Sequence, residues 1–176
     1  MRIDVAPVDA SPDASRAVLS CPLGSFACAV GRSGIRTDKR EGDGATPAGR
    51  FPLRRVLYRP DRLAPPDTAL PVGALGRRDG WCDDPGDPEY NRQVTLPHQG
   101  SAEALWREDH LYDLIIVVGH NDSPALPGAG SAIFIHVAAP DLAATEGCIA
   151  LELGELMRVV AATAPGDSVD IRGQSA

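Results

Sequence analysis

The sequence predicts a mainly β domain of the α+β class, with a mixed sheet and one or two short helices. Its 18 glycines and 16 prolines are spread along 176 residues, which is typical of many turns between short strands. Continuous apolar runs at 112–119 and 131–137 predict buried central strands. Apolar residues follow helical spacing in one segment, from about 152 to 163.

The other elements follow from turn and capping signals along the chain. The length suits one domain over residues 1–176, with 1–14 as a loose N-terminal segment. Residues 17–30 predict two short strands around a Pro-Leu-Gly-Ser turn, and Ser101 is placed to cap a short helix through Trp106. Three loops and two further strands complete the prediction: loops 31–50, 59–100 and 121–130, strand 51–58, and an edge strand at 168–171.

Charge and hydropathy limit the classes of partner. The net charge is −7 and the pI is near 5.0, without a basic run, which argues against a nucleic-acid partner. No stretch of about 18 apolar residues occurs, so membrane insertion is not expected. Residues 1–14 are interrupted by Asp4, Asp9 and Asp13 and do not resemble a signal peptide. We therefore expect a cytosolic protein, a processed chain, or export by another route.

The segment Thr145-Glu146-Gly147-Cys148 carries the sharpest chemical signal. A glycine before a cysteine permits a tight turn at a thiol, and N–H groups around such a turn can form an oxyanion hole. A cysteine nucleophile needs a neighbouring base. His136 lies twelve residues upstream in a predicted strand, so the two side chains can meet across adjacent strands. A buried structural cysteine and a histidine packed in the core explain this spacing equally well.

Two segments resemble the YkuD-like L,D-transpeptidase family. Residues 131–151 resemble its active-site signature, and Thr46-Pro-Ala-Gly-Arg-Phe51 resembles its Thr-Pro-x-Gly-x-Phe segment. The resemblance spans roughly residues 25–172 and implies a mixed β-sandwich. It also implies an enzyme of cell-wall biogenesis and cell shape that cross-links peptidoglycan stem peptides through a thioester. Cys148 would be the nucleophile and His136 the base, and the N–H groups of Gly147 and Cys148 would line the oxyanion hole.

The sequence departs from the family pattern around the cysteine. Glu146 stands where the family usually has histidine, Ala150 stands where asparagine or arginine is common, and the interval from His136 to Cys148 is short. A free carboxylate beside a thiol raises the thiol pKa. We therefore expect Glu146 to point away or to pair with an arginine, in preference to acting as a catalytic acid. These departures resemble a small single-domain proteobacterial subgroup that makes 1,3-type links with L-Ala as the donor residue.

Several polar and aromatic residues are candidates for substrate binding. His120 and Asn121 follow the strand at 112–118 and are placed to line a cleft, with a capped turn as the alternative. His120 is also the first candidate to orient the catalytic pair. In the long loop, Trp81, Tyr90 and Asn91 could contact a peptide or sugar, although Trp81 could also fill a minor core.

The resemblance implies no metal or organic cofactor, and the spacing of His120, His136 and Cys148 fits no common zinc pattern. The function places the protein in the periplasm or cell envelope, although no signal peptide is visible. Two alternatives stay open: an L,D-carboxypeptidase or amidase using the same thiol, and a catalytically silent peptidoglycan-binding module. The sequence does not indicate the oligomeric state.

Overall fold

The computed structural model describes residues 1–8 and 13–173. The described residues form fourteen β-strands and one α-helix, α1 (Leu153–Ala161). The strands are β1 (Arg2–Pro7), β2 (Arg16–Cys21), β3 (Gly24–Ala29), β4 (Ile35–Arg36), β5 (Thr46–Pro47), β6 (Gly49–Tyr58), β7 (Val72–Ala74), β8 (Asp79–Cys82), β9 (Gln93–Thr95), β10 (Ala102–Ala104), β11 (Leu114–Val118), β12 (Phe134–Val137), β13 (Ile149–Leu151) and β14 (Ser168–Ile171). The mainly β class is therefore confirmed.

The main sheet closes into a barrel, so the predicted sandwich is wrong. Its strand order is β11-β12-β13-β3-β2-β1-β14-β6-β7, and β6 pairs again with β11. Closure depends on the length of β6, whose ten residues reach three partners, β14, β11 and the short β7. Its first part, Gly49–Pro52, pairs with β14, and Leu53–Tyr58 pairs with β11. Closing the sheet leaves no unpaired edge between these strands.

Both chain ends take part in the barrel. β14 lies between β1 and β6, so the expected edge strand is an interior one. Residues 2–7 of the segment expected to be loose form β1, which pairs with β2 and β14. Residues 9–12 of that segment lie outside the described residues. Strand β1 therefore lies between β2, in the first hairpin, and β14, the last strand.

A three-stranded sheet, β10-β8-β9, forms where the sequence predicted a loop and a helix. The helix expected at 101–106 is wrong, because Ala102–Ala104 pair with β8 as strand β10. Cross-strand pairing replaces the helix that Ser101 was expected to cap. Leu105, the residue after β10, is fully buried. The long loop thus supplies a second layer outside the barrel.

Successive side chains of the barrel strands point to opposite faces of the sheet, and the buried ones form two hydrophobic clusters. Ile135, Ile149 and Leu151 belong to a large cluster together with the buried face of α1, which the sequence predicted at 152–163. Phe134 and Cys148 belong to a second cluster that includes Trp81 of the small sheet. In the described part of the chain, no helix has the length and apolarity needed to cross a bilayer. The second cluster carries the functional candidates.

Candidate active site

Cys148 and His136 lie on neighbouring strands and the same face of the sheet. β12 and β13 run parallel, with His136 opposite Ala150, and Cys148 directly precedes β13. The Phe134 N–H points to the Cys148 sulfur at 3.4 Å. Because side chains alternate along a strand, His136 projects on the same side as Phe134, one position further along the face. The two residues thus lie at adjacent strands as predicted, and Cys148 Sγ itself contacts Phe134 and Ala132.

The two side chains open into one cavity of about 550 Å³. Gly147 lines the same cavity, and so do Lys39, Glu103, Arg107 and Tyr112. The barrel strands form its floor, and the small outer sheet with the segment before β11 forms one wall. A cavity that holds a thiol, an imidazole and charged groups of both signs is suited to acyl transfer on a polar substrate.

The Cys148 side chain is held as a neutral thiol. Its sulfur donates to the Ala132 carbonyl at 3.1 Å, and the residue is only 8% exposed. Burial raises the pKa of the Cys148 thiol to about 12. The negative charge of Glu103 adds to this rise, whereas the positive charge of Lys39 opposes it. The Cys148 thiol therefore keeps its proton at neutral pH.

The His136 imidazole is neutral as well, and its tautomer is fixed. Nδ1 lies 2.8 Å from the Val137 carbonyl oxygen. A carbonyl can only accept, so Nδ1 carries the proton and Nε2 is left to act as a base. Burial lowers the pKa of His136 to about 4, although the Val137 carbonyl favours the charged form. The Tyr112 ring packs edge-on against it, with centroids 5.2 Å apart.

The turn before Cys148 is shaped by two threonines. The Gly147 N–H donates to Thr145 Oγ1 at 3.1 Å, and that hydroxyl donates to the Cys148 carbonyl at 2.6 Å. Gly147 has φ near +140°, and a Cβ there would lie 2.8 Å from the Ala45 carbonyl oxygen, so only glycine fits. From the other side, the Thr46 hydroxyl donates to the Gly147 carbonyl at 2.8 Å.

Glu146 forms an ion pair with Arg32. Its side chain is 81% exposed and lies at the rim of the cavity. The expectation that this carboxylate pairs with an arginine is confirmed. An exposed, paired carboxylate contributes little to the potential at a buried thiol.

Three residues predicted to bind substrate, Trp81, Tyr90 and Asn91, form hydrogen bonds behind the residues that line the cavity. The Asn91 side-chain oxygen accepts from the Trp81 indole at 2.9 Å and from the Ala132 N–H at 3.1 Å. Ala132 has φ of 52°, a conformation rare for a residue with a Cβ, and its carbonyl receives the Cys148 thiol. Tyr90 donates to Glu41 and accepts from the Gly130 N–H. Trp81 and Asn91 line a second cavity of about 370 Å³.

The other two predicted binding residues stabilise the 121–130 loop. The Asn121 side chain donates to the Leu126 and Gly130 carbonyls. His120 packs edge-on against Phe51, and its Nε2 lies 3.0 Å from the Ala129 carbonyl oxygen. Neither residue is part of the lining described for the 550 Å³ cavity. The groups next to the His136 ring are instead the Val137 and Leu111 carbonyls and Tyr112.

Sequence reasoning missed the charged groups of the cavity. Glu103 was assigned to a helix, although polar and apolar residues alternate in the segment that leads to Leu105, which is also typical of a strand. The Tyr112 hydroxyl donates to Glu103 at 2.6 Å, and Arg107 lies 3.6 Å from the same carboxylate oxygen. Lys39 begins the loop that carries the Thr-Pro-x-Gly-x-Phe segment, and its side chain is only 6% exposed. A buried lysine leaves no local sequence signal, because its burial depends on the fold.

The described residues contain one group of potential metal-ligand atoms within 4.8 Å of one another: Cys82, Asp87 and His98. His98 Nε2 lies 3.0 Å from Asp87 Oδ2, so these two groups already form a hydrogen-bonded pair. The group lies outside the cavity that contains Cys148 and His136.

Comparison with known proteins is consistent with this arrangement. A family model described as YkuD, L,D-transpeptidase catalytic domain, matches residues 15–171. No curated protein matches the chain. The matched region includes the barrel from β2 to β14, the small outer sheet and every residue of the cavity discussed above.

Proposed function

Because the chain belongs to the YkuD family of L,D-transpeptidase catalytic domains, we propose that Cys148 is its nucleophile, acting through a thioester on peptidoglycan stem peptides. The observation that carries this proposal is the placement of the Cys148 thiol and His136 on one face of adjacent strands, in one cavity.

In the first half-reaction, the sulfur attacks the donor carbonyl. The Cys148 proton passes to His136 Nε2 as the S–C bond forms, because neither group is charged at rest. The carbonyl oxygen becomes an oxyanion. The Cys148 N–H is the better placed donor for it, because the Gly147 N–H already donates to Thr145. The C–N bond then breaks, and His136 returns the proton to the leaving amine.

In the second half-reaction, an acceptor amine attacks the thioester carbonyl. A C–N bond forms as the amine gives one N–H proton to His136, the C–S bond breaks, and the Cys148 thiolate takes that proton from His136. The loss of the family's usual histidine at position 146 does not argue for a silent module, since Glu146 is exposed and paired with Arg32. We further propose a 1,3-type link with L-Ala as the donor residue, and action in the cell envelope.

Incubation with tetrapeptide-bearing muropeptides tests the activity. Cross-linked dimers detected by mass spectrometry would support transfer, and fragmentation of the dimers would identify the donor residue. Trimmed monomers alone would instead indicate a carboxypeptidase with the same thiol. A covalent adduct of the donor on Cys148 is expected in both cases.

Two variants provide the controls. Cys148→Ala should abolish both the adduct and the products, whereas Cys21→Ser, at a partly exposed thiol of β2, should retain them. His136→Ala should change the pH–rate profile, and an unchanged profile would remove His136 from the mechanism. Fractionation of cells with an antibody against the chain tests the proposed location.

A further inference from the structure

One wall of the cavity presents two carboxylates toward the thiol. Glu103 lies in the middle of β10, and Asp83 directly follows β8, the strand that pairs with β10. The Asp83 N–H donates to the Ser101 carbonyl, which fixes the backbones next to each other. Both carboxylates line the cavity of Cys148 and His136. Glu103 is close enough for its charge to raise the pKa of the Cys148 thiol.

These carboxylates keep unused acceptor oxygens. The Tyr112 hydroxyl and Arg107 both contact Glu103 Oε1, and Oε2 accepts no hydrogen bond within the described part of the chain. Asp83 Oδ1 is enclosed and has no hydrogen-bond partner among residues 1–8 and 13–173. An enclosed acceptor without a donor is costly, so a ligand donor at this wall would be stabilised.

The two cations of the cavity each pair with an aspartate outside this wall. Lys39 pairs with Asp43 at 2.5 Å and donates to the Arg40 carbonyl. Arg107 donates to Asp109 through both Nε and NH2 and stacks over the Tyr112 ring. Arg107 also lies 3.6 Å from Glu103 Oε1, but in the described part of the chain neither cation pairs with Asp83. The two carboxylates therefore share one arginine, and a ligand cation at this wall would be stabilised.

We propose that Asp83 and Glu103 bind the ammonium group of the acceptor substrate, and that Glu103 takes one of its protons before the amine attacks. This inference rests on the proposed transfer from a Cys148 thioester. A primary ammonium group has three donors, which matches acceptor oxygens on two carboxylates better than a single contact would. The amine so bound faces the thiol across the same cavity, where the thioester carbonyl must lie.

The proton transfers balance with Glu103 as the base. The ammonium gives one proton to the Glu103 carboxylate and becomes a neutral amine. The amine nitrogen attacks the thioester carbonyl, the C–S bond breaks, and the second N–H proton passes to the Cys148 thiolate by way of His136. Glu103 then releases its proton to solvent. Burial raises the pKa of Glu103, which makes it a stronger base at neutral pH than an exposed carboxylate.

An acceptor series separates this role from a structural one. Glu103→Gln keeps an oxygen for the Tyr112 hydroxyl but removes the charge. With a cationic amine acceptor at neutral pH, we expect its kcat/KM for the acceptor to fall by roughly 10²-fold. With hydroxylamine, which is uncharged at neutral pH, the rate should stay near that of the unmodified enzyme. The loss with the cationic amine should shrink as the pH rises and the amine loses its proton.

Further variants complete the design. Asp83→Asn should raise the KM for the cationic acceptor and leave the hydroxylamine reaction unchanged. Glu108→Gln is the matched control, since this glutamate follows Arg107 but is 85% exposed and outside the cavity. Equal losses with charged and uncharged acceptors in Glu103→Gln, or no loss with either, would overturn the inference.

The formation of the acyl-enzyme distinguishes the two proposals. If the donor adduct on Cys148 forms in Glu103→Gln and its transfer is slowed with the cationic amine but not with hydroxylamine, both proposals stand. If the adduct forms and the transfer is as fast as in the unmodified enzyme, the ammonium site fails alone. If Cys148 of the unmodified enzyme never forms an adduct, the proposed function itself fails.

Discussion

The Thr46 hydroxyl donates a hydrogen bond of 2.8 Å to the carbonyl of Gly147, 101 residues later in the chain. The same oxygen accepts from the Gly31 N–H at 2.8 Å. Thr46 is fully buried, so this one hydroxyl satisfies two backbone groups that water cannot reach. The Thr-Pro-x-Gly-x-Phe segment therefore supports the turn that presents Cys148, which gives a physical reason for the two motifs to occur together.

Thr46→Val should destabilise this turn. The change keeps the shape of the side chain but leaves the Gly31 N–H and the Gly147 carbonyl without partners, at a cost of about 1–3 kcal/mol for each group. Urea unfolding should show the loss, and the rate of acyl-enzyme formation should fall with it. Thr46→Ser retains the hydroxyl and should behave like the unmodified protein. Equal stability of both variants would show that the hydrogen bonds of Thr46 do not support the turn.

Asn91→Ala should change the position of the thiol. The substitution leaves the Trp81 indole and the Ala132 N–H without an acceptor, and Ala132 carries the carbonyl that receives the thiol. We expect a lower kcat, an altered alkylation rate of Cys148, and a stability loss of at least about 2 kcal/mol. The exposed Arg92→Ala provides the control. A raised KM with unchanged kcat and alkylation would instead favour the direct substrate contact predicted from the sequence.

Cys148 of the free enzyme should react slowly with alkylating agents. Since its pKa is raised to about 12, its thiolate fraction at pH 8 lies well below that of an ordinary thiol. Peptide mapping after iodoacetamide treatment should show slower reaction in the folded than in the urea-unfolded chain, with a rate that still climbs above pH 9. Partly exposed Cys21 serves as an internal reference. A rapid, pH-independent reaction between pH 6 and 8 would reveal a preformed thiolate–imidazolium pair.

Folding stability should fall as the pH drops from about 6.5 to about 4. In this window the unfolded chain protonates its histidines, whereas buried His136 stays neutral until its pKa of about 4 is reached. The unfolded state then binds more protons, so the free energy of unfolding decreases. His136 accounts for a loss of roughly 3 kcal/mol at most, from about 1.4 kcal/mol per pKa unit.

His120 adds to this pH dependence, because burial lowers its pKa too. Urea titrations at pH 7, 6, 5 and 4 should therefore show a smaller slope in His136→Asn than in the unmodified protein, but not a flat profile. An identical slope in His136→Asn would mean that the imidazole titrates normally in the folded state.

Local patterns in the sequence determined most of the secondary structure and the central pair of residues. Branched apolar runs identified β11 and β12, the 3.6-residue period identified α1, and the spacing of His136 and Cys148 placed them on adjacent strands. These features depend on a few neighbouring residues. They can be recognised without knowing which distant segments pack against them.

The tertiary structure alone decided the closure of the barrel and the chemistry of the cavity. β6 closes the sheet by pairing with β14 along its first part and with β11 along its second, and no local pattern indicates this change of partner. The carboxylates of Asp83 and Glu103 line the cavity of the thiol because β8 and β10 pair outside the barrel. The raised pKa of Cys148 follows from burial. Burial and charge depend on which distant segments meet, so they are properties of the folded chain and not of its local sequence.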